Sequence, residues 1–438
     1  MKRFPHGVTP RLRPLPARRA IDVSVLDIGT SKIACLIGRL RPVESGEALP
    51  GRTHKVEVLG IGHQRARGVK AGGVVDMEAA EKAIRLAVDA AERMAEARVE
   101  SLIVTLSAGR LASDSFNATV SVPGRPVHDG DVSRVLRAGS AHSVRPHRTV
   151  LHSLPVGYAL EGARVQDPRG MVGNELGVDM HVVTATPSTV SNLVLCVERC
   201  HLQVDAVVAA PYASGLATLA DDEAEIGVTV VDMGAGTTTV AVFSNGRFVH
   251  VDALAVGGHH VTMDIARGLS TPLEYAERLK TLQASVFGVS SDERDMIPIQ
   301  IVGEDEQDLT HHIPKSQLVK IVKPRVEEIL ELVGERLKAS GHAGDAGRRV
   351  VLTGGACQLN GLPELASRIL GRQVRIGRPL GIRALPEAAK GPSFAAAAGL
   401  LIYPQVAGEE HFETARPRLA TGTDGYFTRM GQWLRESF

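Results

Sequence analysis

Two stretches carry residues whose types and order suit phosphate and metal chemistry. Val228 to Phe243 reads VTVVDMGAGTTTVAVF, and Val23 to Ile37 reads VSVLDIGTSKIACLI. Each is an apolar strand ending in Asp-x-Gly, then hydroxyl residues, then a second apolar run. Glycine lets backbone N–H groups come close to an anion, and threonine hydroxyls add donors. An aspartate at a strand end can hold a magnesium ion through its water shell. Asp27, Gly29, Thr30, Ser31 and Lys32 form one candidate phosphate turn. Asp232, Gly234, Gly236, Thr237 and Thr238 form the other. Either turn alone reads as well as an ordinary glycine hairpin. The repeated unit predicts two similar domains facing one nucleotide, with magnesium bridged to Asp27 and Asp232 through water.

A third element completes the set. Val350 to Ala356 reads VVLTGGA, an apolar strand ending in Gly354 and Gly355, with a further turn at Asn360-Gly361. Bare backbone at a strand end lets a flat group lie against it, and an adenine is the candidate.

The order DIGTSK, VDMGAGTTT, VVLTGGACQLNGL resembles the actin, Hsp70 and sugar-kinase superfamily, and within it the FtsA family of bacterial cell-division proteins, from about Ile21 to the last residue. RGVKAGGVVDMEAA resembles a matching stretch of that family. The resemblance implies an α/β, actin-like two-domain ATPase fold of the duplicated ribonuclease H-like kind, binding ATP with Mg2+ between its halves. It also implies an inserted small α+β unit, called 1C. Ala276 to Lys280 is similar to the family's A-E-x-x-K segment, which would bring Glu277 and Lys280 to the ribose and adenine. Spacing alone makes that pair a surface salt bridge of i,i+3 type.

Composition bounds the alternatives. With 438 residues and 44% hydrophobic content, the chain suits several packed cores. A net charge of +1 argues against a broad nucleic-acid-binding surface. Four cysteines do not make a disulfide framework. Cys196, Cys200 and the adjacent His201 have spacing that a metal site could use, but buried thiols in a reducing cytosol explain the pair more simply. No leader or membrane span stands out, so a cytoplasmic location is expected.

The elements that must position these turns follow in order. Residues 1–20 are basic and proline-rich and read as a disordered tail. Strands are expected over 22–28, 32–40 and 55–64, with glycines 60, 62, 68, 72 and 73 marking turns. Asp76 should cap a helix over 77–97 whose Ala79, Ala83, Leu86, Val88 and Met94 fill one face. The 1C unit is expected over 99–181, as a strand at 100–107, a helix at 129–141 and strands at 148–158 and 177–185. A helix capped by Ser188 runs to about 200, and a buried strand covers 204–210. The helix over 211–221 should connect the domains. In actin-like ATPases that helix presents a polar side chain to the attacking water; here its first turns offer only Tyr212, Ser214 and Thr218, which implies slow hydrolysis.

Helices are expected after Gly257-Gly258, over 271–282, and over 316–340, the last kinked or split by Pro324. A helix over 362–370, a strand over 377–385 and an Ala-rich helix at 394–401 follow. The resemblance assigns 21–98, 182–204 and 380–404 to subdomain 1A, 205–258 with 346–379 to 2A, and 259–345 to 2B. It further implies that 2B receives the C-terminal peptide of the tubulin-like FtsZ, with Lys320 and Arg325 as candidates to meet it.

Residues 405–424 are polar and read as a linker reaching about 25 Å if flexible. Residues 425–438 are expected to form an amphipathic helix. Tyr426, Phe427, Met430, Trp433, Leu434 and Phe438 share one face, and Arg429 and Arg435 flank it. That pattern suits a bilayer interface with anionic lipid, and the family's membrane-targeting helix sits at this position. The resemblance thus implies a self-polymerising tether on the inner face of the cytoplasmic membrane at midcell, recruiting later division proteins through 1C. The alternatives are a soluble sugar kinase, for which no substrate-side aspartate base stands out, and a pilus-assembly ATPase, which lacks the terminal helix.

Overall fold

The computed structural model describes residues 12, 14–43, 52–108, 110–141, 147–303, 311–344 and 347–412. The expected terminal helix and the eight side chains named on it lie outside the described residues.

The same five-strand plan appears twice. In the first half, the aspartate strand Ile21–Ile28 pairs antiparallel with Lys32–Pro42, which pairs with His54–Arg65. On its other side run the parallel strands Ser101–Leu106 and Gln203–Ala209. In the second half, Val228–Met233 pairs with Thr238–Ser244 and then Arg247–Leu254, and the parallel strands Arg349–Thr353 and Gln373–Ile376 lie beyond. The turns match in detail: the Gly29 N–H donates to the Lys32 carbonyl at 3.0 Å, and the Gly234 N–H to the Thr237 carbonyl at 2.9 Å. Val228–Met233 is buried along nearly its whole length, as is the Val25–Leu26 stretch of Ile21–Ile28, which fits their apolar runs.

Helix Met77–Ala95 is capped by Asp76, whose side chain accepts from the Ala79 N–H. Its buried face differs from the expected one. Ala80, Ala83, Ile84, Ala87, Val88 and Ala91 are buried, whereas Leu86 and Met94 are about half exposed. Gly60 and Gly62 give the reason. They lie within the strand His54–Arg65 and are not turn residues. A Cβ on them would come within 2.3 Å of the Ala91 carbonyl oxygen and 2.0 Å of the Ala87 carbonyl oxygen. The helix therefore rides directly on bare strand backbone, and only a small-residue stripe fits there.

The inserted unit is a four-stranded antiparallel sheet in the order Ala112–Pro126, Val172–Ala185, Thr149–Leu160, Ala163–Val165, covered by helix Asp129–Ser140. Its core includes Val122, Val135, Val178 and Met180. The helix is capped by His128, not by Asp129 or Asp131; Asp131 reaches back to the His128 N–H. The strand expected to open this unit, near 100–107, belongs instead to the first sheet, beside Ile21–Ile28. The true first strand, Ala112–Pro126, has polar side chains on alternate positions and lies outside the strands expected from the sequence.

Other local expectations also change. Ser188 does not cap helix Pro187–Glu198; Thr186 stands at that position, without a side-chain cap bond. Pro324 sits within one continuous helix, Lys315–Ala339. Of residues 377–385, only Ile382–Arg383 is strand, pairing with Val56 and Glu57.

Both ends of the described chain are docked. Leu12 and Leu15 pack against the first core, and the Pro16 carbonyl lies 3.2 Å from His54 Nε2, so residues 14–20 are not a free tail. Residues 403–412 are a strap across three units, where a linker was expected from 405. Gln405 Oε1 accepts from the Thr53 and His54 N–H groups, Glu409 pairs with Arg247, and the His411 N–H donates to the Ser153 carbonyl.

Candidate functional site

The two aspartate turns face each other across a cleft of about 1260 Å³. Asp27, Gly29, Thr30, Ser31, Lys32, Asp232, Gly234, Thr237, Glu277, Lys280, Gly354 and Gly355 all line it. Two predicted residues do not. Gly236 lies where the halves touch, and a Cβ on it would be 2.5 Å from Thr30 Oγ1. Thr238 turns inward, fully buried, and its hydroxyl donates to the Val256 carbonyl at 2.8 Å. Its neighbour Thr239 lines the cleft instead, with a buried hydroxyl that has no hydrogen-bond partner among the described residues.

The electrostatics centre on three side chains. Burial pushes the Asp27 carboxyl up, opposed by the Thr105 hydroxyl and Lys32. Burial pushes Asp232 up to about 6, with Ser214 opposing and Asp27 adding to the rise. Lys32 is pushed down to about 8 by burial, although both aspartates favour its charge. Its ammonium donates to the Ser393 carbonyl and stands 3.5 Å from the Phe394 ring centre. Two partly buried carboxylates thus share one lysine, and a divalent cation would supply the missing positive charge. Among the described residues no group of three or more His, Cys, Asp or Glu side chains converges on a direct metal site. Asp27 and Asp232, one carboxylate from each turn, are a donor set that fits a cation held through water. Cys196 and Cys200 are buried, and their thiols reach backbone carbonyls.

Glu277 and Lys280 form the ion pair that spacing predicts, at 2.7 Å, but inside the cleft. Thr262 donates to Glu277 at 2.5 Å, and Lys280 reaches both Thr262 and the Gly258 carbonyl. Burial works against the Glu277 charge, yet Lys280 and Thr262 hold it below the usual carboxylate range. Gly354 has φ 83°, and a Cβ there would be 2.3 Å from Asp232 Oδ1. Gly354 therefore lies directly against the Asp232 carboxylate and leaves no room for a side chain. At the mouth, Arg65 of the first half donates to Glu274 of the second at 2.7 Å.

The connecting helix Ala210–Thr218 offers the cleft no free polar group. Ser214 spends its hydroxyl on Asp232, Thr218 donates to the Ser214 carbonyl, and Tyr212 stacks on Phe248 away from the cleft. Sequence reading missed Thr105, Ser107 and Thr239. Only the register beside an aspartate strand could have pointed to Thr105.

Lys320 is exposed on helix Lys315–Ala339. Arg325 is already paired with Asp264 at 2.6 Å and with Glu328, so its charge is committed.

The duplicated sheets around a shared cleft define an actin-like ATPase fold. Solved structures agree on the fold: a chain of the PilM–PilN type IV pilus biogenesis complex aligns with TM-score 0.60 at 17% identity, covering 89% of this chain and 99% of that one. MreB5 of Spiroplasma citri bound to ADP aligns with TM-score 0.50 at 14% identity, covering 89% and 97%. Sequence comparison is narrower. A family model described as cell division protein FtsA matches residues 229–399, and one described as the SHS2 domain inserted in FtsA matches 108–184. The cell division protein FtsA of Rhizobium meliloti is 54% identical over 98% of each chain. The chain belongs to the FtsA family of cell-division proteins.

Proposed function

We propose that this cell-division protein binds Mg–ATP between its halves and, in the closed state, polymerises head to tail as a tether of the FtsZ ring to the cytoplasmic face of the membrane. The observation that carries the nucleotide reading is the pair of matched turns, Gly29 to Lys32 and Gly234 to Thr237, facing one cleft with Asp27 and Asp232 between them. A ligand that touches both halves at once favours the closed arrangement. In this reading Asp27 and Asp232 would hold magnesium through water, and the turns would hold the phosphates. Glu277 and Lys280 would meet the ribose, and Gly354 and Gly355 the adenine. When bound, magnesium would neutralise phosphate charge. Turnover would be slow, because the connecting helix has no group free to orient water.

The tether reading rests on the amphipathic pattern of residues 425–438. Among the described residues no helix is long and apolar enough to cross a membrane, and a surface-lying helix needs none. Lys320 is the stronger candidate to meet the acidic FtsZ peptide, and the inserted unit would meet later division proteins. Each terminal helix alone would bind weakly, and polymerisation would add avidity. Co-sedimentation with anionic liposomes, with and without ATP, compares the full chain with one ending at Gly422. The full chain should pellet and the shortened one should not, with more pelleted in ATP. If both stay in the supernatant at every lipid composition, the tether reading fails.

A further inference from the structure

Each cleft aspartate is held by a hydroxyl from a neighbouring element. Thr105 accepts from the Ile28 N–H at 3.2 Å, and its own hydrogen goes to Asp27 Oδ1 at 2.6 Å. Ser214, fully buried, donates to Asp232 Oδ2 at 2.5 Å. The duplication makes the comparison informative. Leu26 pairs with Val104, so Asp27 continues beside Thr105; Asp232 pairs with Thr353 in the corresponding parallel strand. Thr353 occupies the position of Thr105 but turns to the Gly377 and Pro392 carbonyls, each at 3.1 Å. The hydroxyl for Asp232 comes from a different element, the connecting helix. The carboxylate contact is therefore present in both halves even though its source has changed.

The backbone around Ser214 allows little play. A Cβ on Gly399 would be 1.7 Å from the Ala213 carbonyl oxygen, and one on Gly215 would be 2.3 Å from the Phe243 ring. The connecting helix is thus wedged between the Ala395–Ile402 helix and the second sheet on either side of Ser214.

We infer that Thr105 and Ser214 are the positioning residues of the site: each fixes one oxygen of its aspartate so that the carboxylate presents a constant face to the water shell of a divalent cation. The inference rests on the nucleotide reading above. Hydrogen bonds to the groups that hold a metal orient those groups and raise affinity.

The test uses the full chain and a fluorescent ATP analogue, titrated in excess Mg2+ and again in EDTA. Ser214→Ala and Thr105→Val should each weaken binding about tenfold or more in Mg2+, as lost outer-shell contacts do, and leave binding in EDTA nearly unchanged. Thr105→Ser should restore most of the Mg2+-dependent affinity, which a role in packing alone would not predict. Equal losses in Mg2+ and EDTA, or no loss in Mg2+, overturn the inference. If Ser214→Ala does not fold, the Thr105→Val and Thr105→Ser pair decides. Failure of the unaltered chain to bind the analogue at all would instead overturn the nucleotide reading.

Discussion

Glu410 Oε1 lies 2.9 Å from His152 Nδ1, joining the strap after the last core helix to the inserted sheet. His152 Nε2 accepts from the Ala209 N–H at 2.9 Å, so Nδ1 carries the proton and donates to Glu410. The Tyr403 hydroxyl donates to the same oxygen, also at 2.9 Å. Both side chains of the pair are buried, at 0% and 1% exposure. Glu410→Ala strands two buried donors, and each costs about 1–3 kcal/mol. Glu410→Gln keeps an acceptor oxygen and should cost less. Chemical denaturation should therefore rank Ala below Gln below the unaltered chain. Arg247 and Glu409, one residue away, are about half exposed. Glu409→Ala should stay within about 0.5 kcal/mol. Equal effects of the 409 and 410 changes would contradict this picture of the strap.

Acid should loosen the contact between the inserted unit and the second sheet. His181 Nδ1 donates to the Phe248 carbonyl at 2.8 Å, and Ser113 Oγ lies 2.8 Å from Nε2. Burial pushes His181 down to about 3, with His250, His152 and His342 nearby adding to the fall. The folded state thus binds the proton less readily than the unfolded chain, whose histidine titrates near 6.5. The contribution is complete above about pH 6.5 and is lost as pH falls towards 3, at about 1.4 kcal/mol per pH unit. His250, pushed down to about 4 by burial, acts with the same sign. In denaturation measured from pH 7 to 5, His181→Gln should show a shallower acid limb by about 2 kcal/mol. Parallel limbs would mean that His181 does not stay neutral in the fold.

The aspartate turns were legible because their chemistry is local. Asp27 and Asp232, with their glycines, need only a strand, a tight turn and a strand, and the repeat supplied the rest. Thr105 and Ser214 were not legible, because nothing in their own neighbourhoods says which carboxylate they will meet. The strand Ala112–Pro126 was missed because its serines, aspartate and asparagine mask the alternation of Phe116, Ala118, Val120 and Val122. The buried face of the helix at 77–95 is set by the bare Gly60 and Gly62 beneath it, which side-chain size within the helix does not reveal.

The contact between Ala213 and Gly399 should be the most sensitive glycine site in the core. A Cβ at 399 would stand 1.7 Å from a backbone oxygen, so neither side can yield by rotating a side chain. Gly399→Ala should cost about 3 kcal/mol or more, or abolish folding. Gly408→Ala is the control, since nothing lies within 4 Å of its added methyl. Melting temperatures of the pair read the difference directly, and similar values would show that the two helices can separate at little cost.

At the mouth of the cleft, Arg65 and Glu274 form a salt bridge between the two halves, at 2.7 Å and with roughly three quarters of each side chain exposed. Exposed pairs contribute at most about 1 kcal/mol. The bridge therefore cannot hold the cleft shut, but it can slow opening. If nucleotide leaves through this mouth, Glu274→Ala should speed release of a bound fluorescent analogue by no more than about fivefold, the equivalent of that energy. Because the pair is exposed, ionic strength near 1 M, where screening acts over about 3 Å, should speed release from the unaltered chain and erase most of the difference from the variant. Arg65→Ala and the double variant should release at the same rate as Glu274→Ala, since removing either charge removes the whole interaction. A much larger acceleration in Glu274→Ala that persists in high salt would assign Glu274 a direct contact with the nucleotide instead.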